Sequence, residues 1–150
     1  TRDALHEQLA RSHRWPGNRR ARSVIAFADP RSESVGESRS RVIFARGGVP
    51  TPELQHPIRV NGVVLAWSDF AWEDYGVLGE FDGISKYGDY ARPGEAPSDV
   101  LVREKAREDR LREQGWLVVR WVWSDLSDPE ALCARINHAL ATGARRRRPV

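Results

Sequence analysis

The pattern of apolar and polar positions changes character near residue 50, from helix-like spacing before it to extended segments after it. Residues 3 to 12 and about 18 to 28 are rich in alanine, leucine and arginine and are broken by Pro16-Gly17, which predicts two short helices forming an appendage. A third helix is expected from Ser34 to about Arg46. Its apolar positions are Val35, Val42, Ile43 and Ala45, and Gly47-Gly48 with Pro50 stop it. Extended segments follow at about 55 to 60, 63 to 71 and 76 to 83, the first two joined by Asn61-Gly62, the strongest short hairpin signal. The glycine- and proline-containing stretch 84 to 98 is long enough to cover a site. Charge-dense residues 99 to 114 predict a helix closed by Gly115, and Trp116 to Trp123 reads as a buried central strand. Asp128-Pro129 opens a last helix to about Ala141, where Thr142-Gly143 is expected to end it.

This order of helix, three strands, helix, strand and helix predicts the α/β class with a central mixed sheet. A length of 150 residues, 40% hydrophobic and 30% charged, suits one compact domain. No apolar run approaches the roughly 20 residues of a membrane helix, and no secretory signal precedes the helices, so a soluble, cytoplasmic protein with no membrane partner is expected. The single cysteine, Cys133, excludes an internal disulfide framework and a thiolate zinc cage; beside Leu132, Ile136 and Leu140 it reads as a small buried apolar group. There is no methionine, even at position 1, which predicts a piece of a longer polypeptide or a trimmed product and makes an N-terminal domain outside this chain a candidate partner.

Charge adds a second layer. The net charge of +3 is smaller than the run of four arginines at 145 to 148, so the remainder is nearly balanced. Residues 67 to 95 hold Asp69, Glu73, Asp74, Glu80, Asp82, Asp89 and Glu95 against only Lys86 and Arg92. A basic start, an acidic middle and a basic tail suit a polyanion held around a cation site. A solvated surface with a disordered tail accounts for the same charges.

Strand alternation places Glu80 and Asp82 on one side of their strand, with Val77, Gly79 and Phe81 on the other. Two acids on a core strand ask for a compensating charge, and a divalent metal would supply it. If 63 to 71 pairs antiparallel with 76 to 83, Asp69 and Glu80 approach one another, and oxygen ligands of this kind match Mg2+ or Mn2+ better than zinc.

Glu37 on a first helix, Asp69 in Ser-Asp-Phe and then Glu80-Phe-Asp-Gly83 together resemble the PD-(D/E)XK nuclease superfamily, and within it the group related to very-short-patch-repair endonucleases. The likeness runs from about Ser32 to Leu140 and includes Glu37-Ser-Arg-Ser-Arg41, Gln55, Lys86-Tyr87, Glu104-Lys-x-Arg107 and Gly115-Trp116. It implies a restriction-endonuclease-like core over residues 29 to 142, after the helical appendage 1 to 28 and before a basic tail 143 to 150. It also implies Asp69 and Glu80 as metal carboxylates, with the Phe81 carbonyl as a candidate further ligand and Glu37 at the edge of the site. The family's lysine falls at Asp82, leaving Asp82 or Lys86 to orient the attacking water, and Arg41, Arg103 and Arg107 to face phosphates.

The function implied is metal-dependent hydrolysis of phosphodiester bonds in DNA by a bacterial repair, restriction or defence endonuclease, with RNA left open as a substrate. The alternative is a catalytically inactive nuclease-like module that binds nucleic acid or protein in a regulator or antitoxin. Plainer readings stand beside both. Ser34-Val-Gly-Glu37 fits a capping box, and the charges of 104 to 112 fit helix-surface pairs. Trp116, Trp121 and Trp123 fit a core, and His6, His13, His56 and His138 show no metal-ligand spacing. The metal reading requires Asp69 and Glu80 to converge with no arginine fixed in the gap between them.

Overall fold

The computed structural model describes residues 1–83 and 97–147. The chain divides into two units, Thr1–Arg31 and Ser32–Val150. The first holds α1 (Arg2–Arg11) and α2 (Asn18–Phe27). Gly17 turns the chain between them at φ 87°, and the Asn18 amide donates to the carbonyls of Leu9 and Ser12, closing the helical pair.

The second unit is mixed α/β. Its order is α3 (Val35–Arg46), β1 (Glu53–Val60), β2 (Val63–Trp72), β3 (Val77–Asp82), α4 (Pro97–Glu113), β4 (Leu117–Val122) and α5 (Pro129–Arg147). The strands form one open mixed sheet in the order β1-β2-β3-β4, antiparallel except for the parallel pair β3-β4. A single crossover through α4 joins the parallel pair, as parallel strands require. Among the described residues, no helix is long and apolar enough to cross a membrane.

Local chemistry accounts for most element boundaries. Ser34 caps α3, its hydroxyl accepting from the Glu37 amide at 3.1 Å. Asn61 and Gly62, at φ 51° and 80°, make the tight turn between β1 and β2. Gly115 at φ 83° ends α4, with its amide on Arg112 and that of Trp116 on Leu111, a Schellman closure.

The prediction fails at two elements. β4, expected as a buried central strand, is an edge strand paired only with β3 and mostly half-buried; its apolar run reflects packing against clusters on both faces of the sheet and not strands on both sides. The second is the last helix. α5 does not stop at Thr142-Gly143 but continues to Arg147, so the segment expected as a basic tail begins as helix. Gly143 is buried, and a β-carbon there would run into the Tyr75 carbonyl oxygen. The glycine permits close packing of α5 on the turn after β2, and the backbone stays helical through it. Arg145 and Arg146 are exposed on that helix.

The main core lies between the sheet and α3 and α5. Phe44 is its centre, with rings of Phe70, Trp72 and Trp121 edge-on at 5.4–5.7 Å. Both buried indoles have partners: Trp121 Nε1 donates to Ser40 Oγ and Trp72 Nε1 to the Pro50 carbonyl, each at 2.7 Å. Gly79 lies against Trp121 and Trp72, which leaves no room there for a side chain. Trp123 packs on this core, as does Phe81, while Trp116 packs on a second cluster, so the tryptophans of the last strand region are core residues as expected. The second cluster contains Ile58, Ala66, Ala71, Leu78 and Leu111 of α4. Cys133 is buried, its thiol against the Ile43 carbonyl, and burial raises its pKa.

Candidate metal and phosphate site

β2 and β3 are paired from Trp72↔Val77 to Phe70↔Gly79. Beyond that point side chains of β2 take over the bonding to β3. Ser68 Oγ donates to the Gly79 carbonyl at 3.1 Å, and Asp69 Oδ2 accepts from the Phe81 amide at 2.8 Å. Asp69 is therefore anchored where the strands separate, one residue along β3 from Glu80.

Gln55 of β1 completes this corner. Its backbone lies in the left-handed region at φ 50°, which is unusual within a strand and costs on the order of 1 kcal/mol or more. Its amide nitrogen donates to Glu37 Oε2 at 3.3 Å, and its side chain also bonds Asp69. Glu37 is buried at the start of α3, where Oε2 also accepts the Glu33 amide at 2.8 Å. The capping box expected at Ser34 is not formed as such, because Glu37 accepts the amide one residue earlier. Glu37 serves the helix start, bonding Glu33 where a capping box would use Ser34, and it faces the acidic corner.

The surroundings push the Asp69 carboxyl up from 3.8 to about 6. Burial is the largest cause; Glu37 and Glu80 add repulsion, while the Phe81 amide and Gln55 act in the opposite direction. Among the described residues, no lysine or arginine pairs with Asp69.

Glu80 has the opposite arrangement. Arg107 Nη2 reaches its two oxygens at 2.9 and 3.0 Å, and Arg120 Nη2 reaches Oε2 at 2.8 Å. Arg120 comes from β4, where it is the register partner of Glu80, and Arg107 comes from α4. Asp82 lies 3.7 Å from Arg120 Nη1, and Glu108 lies 3.7 Å from Nη2. Arg107 Nε also meets Glu104 at 3.1 Å. Burial opposes the Arg107 charge, but Glu80 and Glu104 outweigh it and hold its pKa above the ordinary value.

The compensating charge that strand alternation demanded is thus present, and for Glu80 it is two guanidinium groups. Both arginines pair with Glu80 and neither pairs with Asp69. Arg107, expected to face phosphate, faces Glu80 instead. Glu80 and Asp82 do share a side of β3, since Arg120 reaches both. The Phe81 carbonyl, a candidate metal ligand, accepts the Gly83 amide at 3.1 Å. Arg41 is half-buried on α3 with Nη1 3.5 Å from Ser32 Oγ, and Arg103 is half-buried on α4. Lys86 and most of the stretch expected to cover the site lie outside the described residues.

Three residues took on roles that spacing could not reveal. Gln55 entered the sequence argument only through the family likeness, and its positive φ has no signal in the pattern. Arg120 read as one charge in an otherwise apolar strand, which was the available clue. His56, thought to lack metal-ligand partners, sits between Glu53 and Glu73: Nδ1 is 2.8 Å from Glu53 Oε2 and Nε2 is 3.2 Å from Glu73 Oε1. Each ring nitrogen faces its own carboxylate. Among the described residues these three form the group whose ligand atoms lie close enough together to hold a metal ion, and one ion could engage only one of the ring nitrogens as they stand.

Two curated proteins of Mycobacterium tuberculosis resemble the chain: Uncharacterized protein MT2308 and Uncharacterized protein Rv2248. Each is 37% identical over 121 residues, covering 80% of this chain and 42% of the relative. The chain thus spans less than half the length of the curated relatives it matches. No family model and no solved structure matches it.

Proposed function

We propose that residues 32–147 form a restriction-endonuclease-like unit of the PD-(D/E)XK type that hydrolyses phosphodiester bonds in DNA with Mg2+ or Mn2+. The observation that carries this reading is Asp69, half-buried near Glu37 and Glu80, with no cation paired to it among the described residues and its carboxyl raised to about 6. A carboxylate drawn partly out of water beside other acids is costly, and an oxygen-only donor set suits a hard divalent ion.

Asp69 and Glu80 would hold the ion, and Glu37 would contribute charge at the edge. The bound ion supplies Lewis-acid charge and lowers the pKa of a coordinated water. The protein's own groups do the rest. The Phe81 amide keeps Asp69 oriented through Oδ2. Gln55 ties Asp69 to Glu37, so the three side chains keep one arrangement. Asp82, more exposed than Glu80, is the acid available to accept a proton from the attacking water. Arg41 and Arg103 carry positive charge on α3 and α4, where a phosphate backbone would meet them.

Incubation with supercoiled and single-stranded DNA plus Mg2+ or Mn2+ tests the reading. Cutting is expected from the parent and should be lost in Asp69→Ala and Glu80→Ala; equal cutting by both variants would assign it elsewhere. A second reading, a catalytically silent module for nucleic-acid or protein binding, is favoured by the two arginines on Glu80 and by Asp82 in the place of the family's lysine. It expects no cutting, with DNA or partner binding unchanged in the same variants.

A further inference from the structure

The contacts of His56 are not satisfied by its own chemistry. Its ring lies near Trp116 with only 12% of the side chain exposed, and each ring nitrogen meets a carboxylate, Glu53 at 2.8 Å and Glu73 at 3.2 Å. A neutral imidazole has one N–H and one lone pair, and an ionised carboxylate only accepts. One of the two contacts therefore sets a lone pair against an anion. A proton or a metal ion removes the conflict. The backbone departs from regular strand geometry to build this meeting. Residues an even number apart on a strand share a face, yet Leu54 packs in the aromatic core and Ile58 in the second cluster. Gln55, left-handed at φ 50°, lies between them and breaks the alternation, so Glu53 and His56 fall on one side although an odd number of positions separates them. Glu73 comes from the one-turn helix Glu73–Tyr75 just after β2, whose Ala71 is the register partner of Glu53.

We propose that Glu53, His56 and Glu73 form a Zn2+ site that clips the start of β1 to the turn after β2. One ligand atom from each residue lies within 4.8 Å of the others. Donors about 2.0–2.2 Å from a tetrahedral ion stand roughly 3.4 Å apart, so small rotations of the two exposed glutamates close the set. One imidazole nitrogen with two carboxylate oxygens suits zinc better than Mg2+, which favours oxygen alone, and solvent fills the fourth position. The other ring nitrogen keeps its proton and donates it to the second oxygen of a glutamate, the usual support behind a metal-bound imidazole. The ion thus replaces a repulsive contact with a bond. Because Gln55 lies between two of the ligands, a loaded site also fixes the left-handed residue that reaches Glu37 and Asp69. This donor set differs from the oxygen-only corner at Asp69, and it stands whether or not that corner binds an ion.

The test follows Zn2+ uptake by the full untagged chain in competition with a chromophoric chelator, under a large excess of Mg2+ that saturates oxygen-only sites. The parent should take up one equivalent. His56→Ala should weaken binding at least about a hundredfold and Glu73→Gln about tenfold, since even groups behind the ligands are worth roughly ten- to a hundredfold. Replacing the exposed histidines together, as His6→Gln, His13→Gln and His138→Gln, should leave the affinity unchanged. Co2+ in place of Zn2+ reports the ligands directly: the visible absorption of a tetrahedral site should appear in the parent and vanish in His56→Ala. Should that variant fail to fold, by circular dichroism, Glu53→Gln and Glu73→Gln at two exposed positions decide the outcome in the same way.

If the parent takes no Zn2+ from the chelator, a proton on His56 is what bridges the two acids and the site is overturned. If Zn2+ binds but is held as tightly by the His56 and glutamate variants, it lies elsewhere and the site is overturned as well. Neither result bears on the Asp69 corner, whose own test is the cutting of DNA.

Discussion

The two faces of the sheet solve opposite problems. On the side of α3 and α5, Phe44, Phe70, Trp72 and Trp121 fill space with rings whose few polar atoms are satisfied. On the other side a small apolar cluster around Leu78 and Leu111 gives way, within two residues of β3, to Glu80 and the guanidiniums of Arg107 and Arg120. The first face holds the fold together. The second holds charge in a half-dry place, where full pairing stabilises and incomplete pairing costs. Substitutions on the aromatic face should reduce stability whatever they do to binding, whereas those on the charged face should separate the two.

The largest effect is expected at the centre of the aromatic face. Trp121→Ala removes a wholly buried ring and the bond to Ser40, and should lower unfolding free energy by about 3–5 kcal/mol in a urea titration. A loss below about 1 kcal/mol would mean that this face is not the main source of stability.

Glu80→Gln comes next. It removes the anion shared by Arg107 and Arg120, and should cost about 2–4 kcal/mol by the same measurement. In a double-mutant cycle, adding Arg120→Gln should restore part of that loss, since fewer like charges remain in contact. Additive losses would show that the guanidiniums do not depend on Glu80.

Asp69→Asn should act in the opposite direction. The folded carboxyl titrates near 6 and its ordinary value is 3.8, so the folded state holds the proton more tightly between those values. The stability contributed by the protonated acid is present below pH 4 and is lost as pH rises through 6. At pH 8 the variant should be more stable than the parent by about 1–2 kcal/mol, a figure already reduced for solvent screening of a half-buried group. Near pH 3.5 the difference should vanish. A constant difference across this range, in thermal melts at several pH values, would contradict the titration account. Gain of stability on neutralising a carboxylate is also the mark of a group kept for binding and not for folding.

Much of the architecture was readable along the chain. Ser34, Asn61-Gly62 and Gly115 act through backbone geometry within a few residues, so their hydrogen bonds and turns follow from local identity. The order of helices and strands followed from apolar spacing for the same reason. Gly143 misled because glycine also serves close packing: the decisive neighbour, the Tyr75 carbonyl, is far away in sequence. At the site, two strand acids were visible as a charge in need of a partner, but the partner was not. Arg107 and Arg120 lie 27 and 40 positions beyond Glu80, and only the crossover through α4 and the parallel register of β4 bring them to it.

Residue identity alone set where the chain turns, which segments bury apolar surface, and that β3 carries two acids needing positive charge. Tertiary structure alone chose how that need is met: two guanidiniums for Glu80, and for Asp69 an amide N–H, a glutamine and, among the described residues, no cation. Caps and turns are short-range and depend on adjacent residues. Desolvation and charge pairing depend on which distant groups share a low-dielectric space, and that is decided only when the sheet closes its register and α4 packs across it.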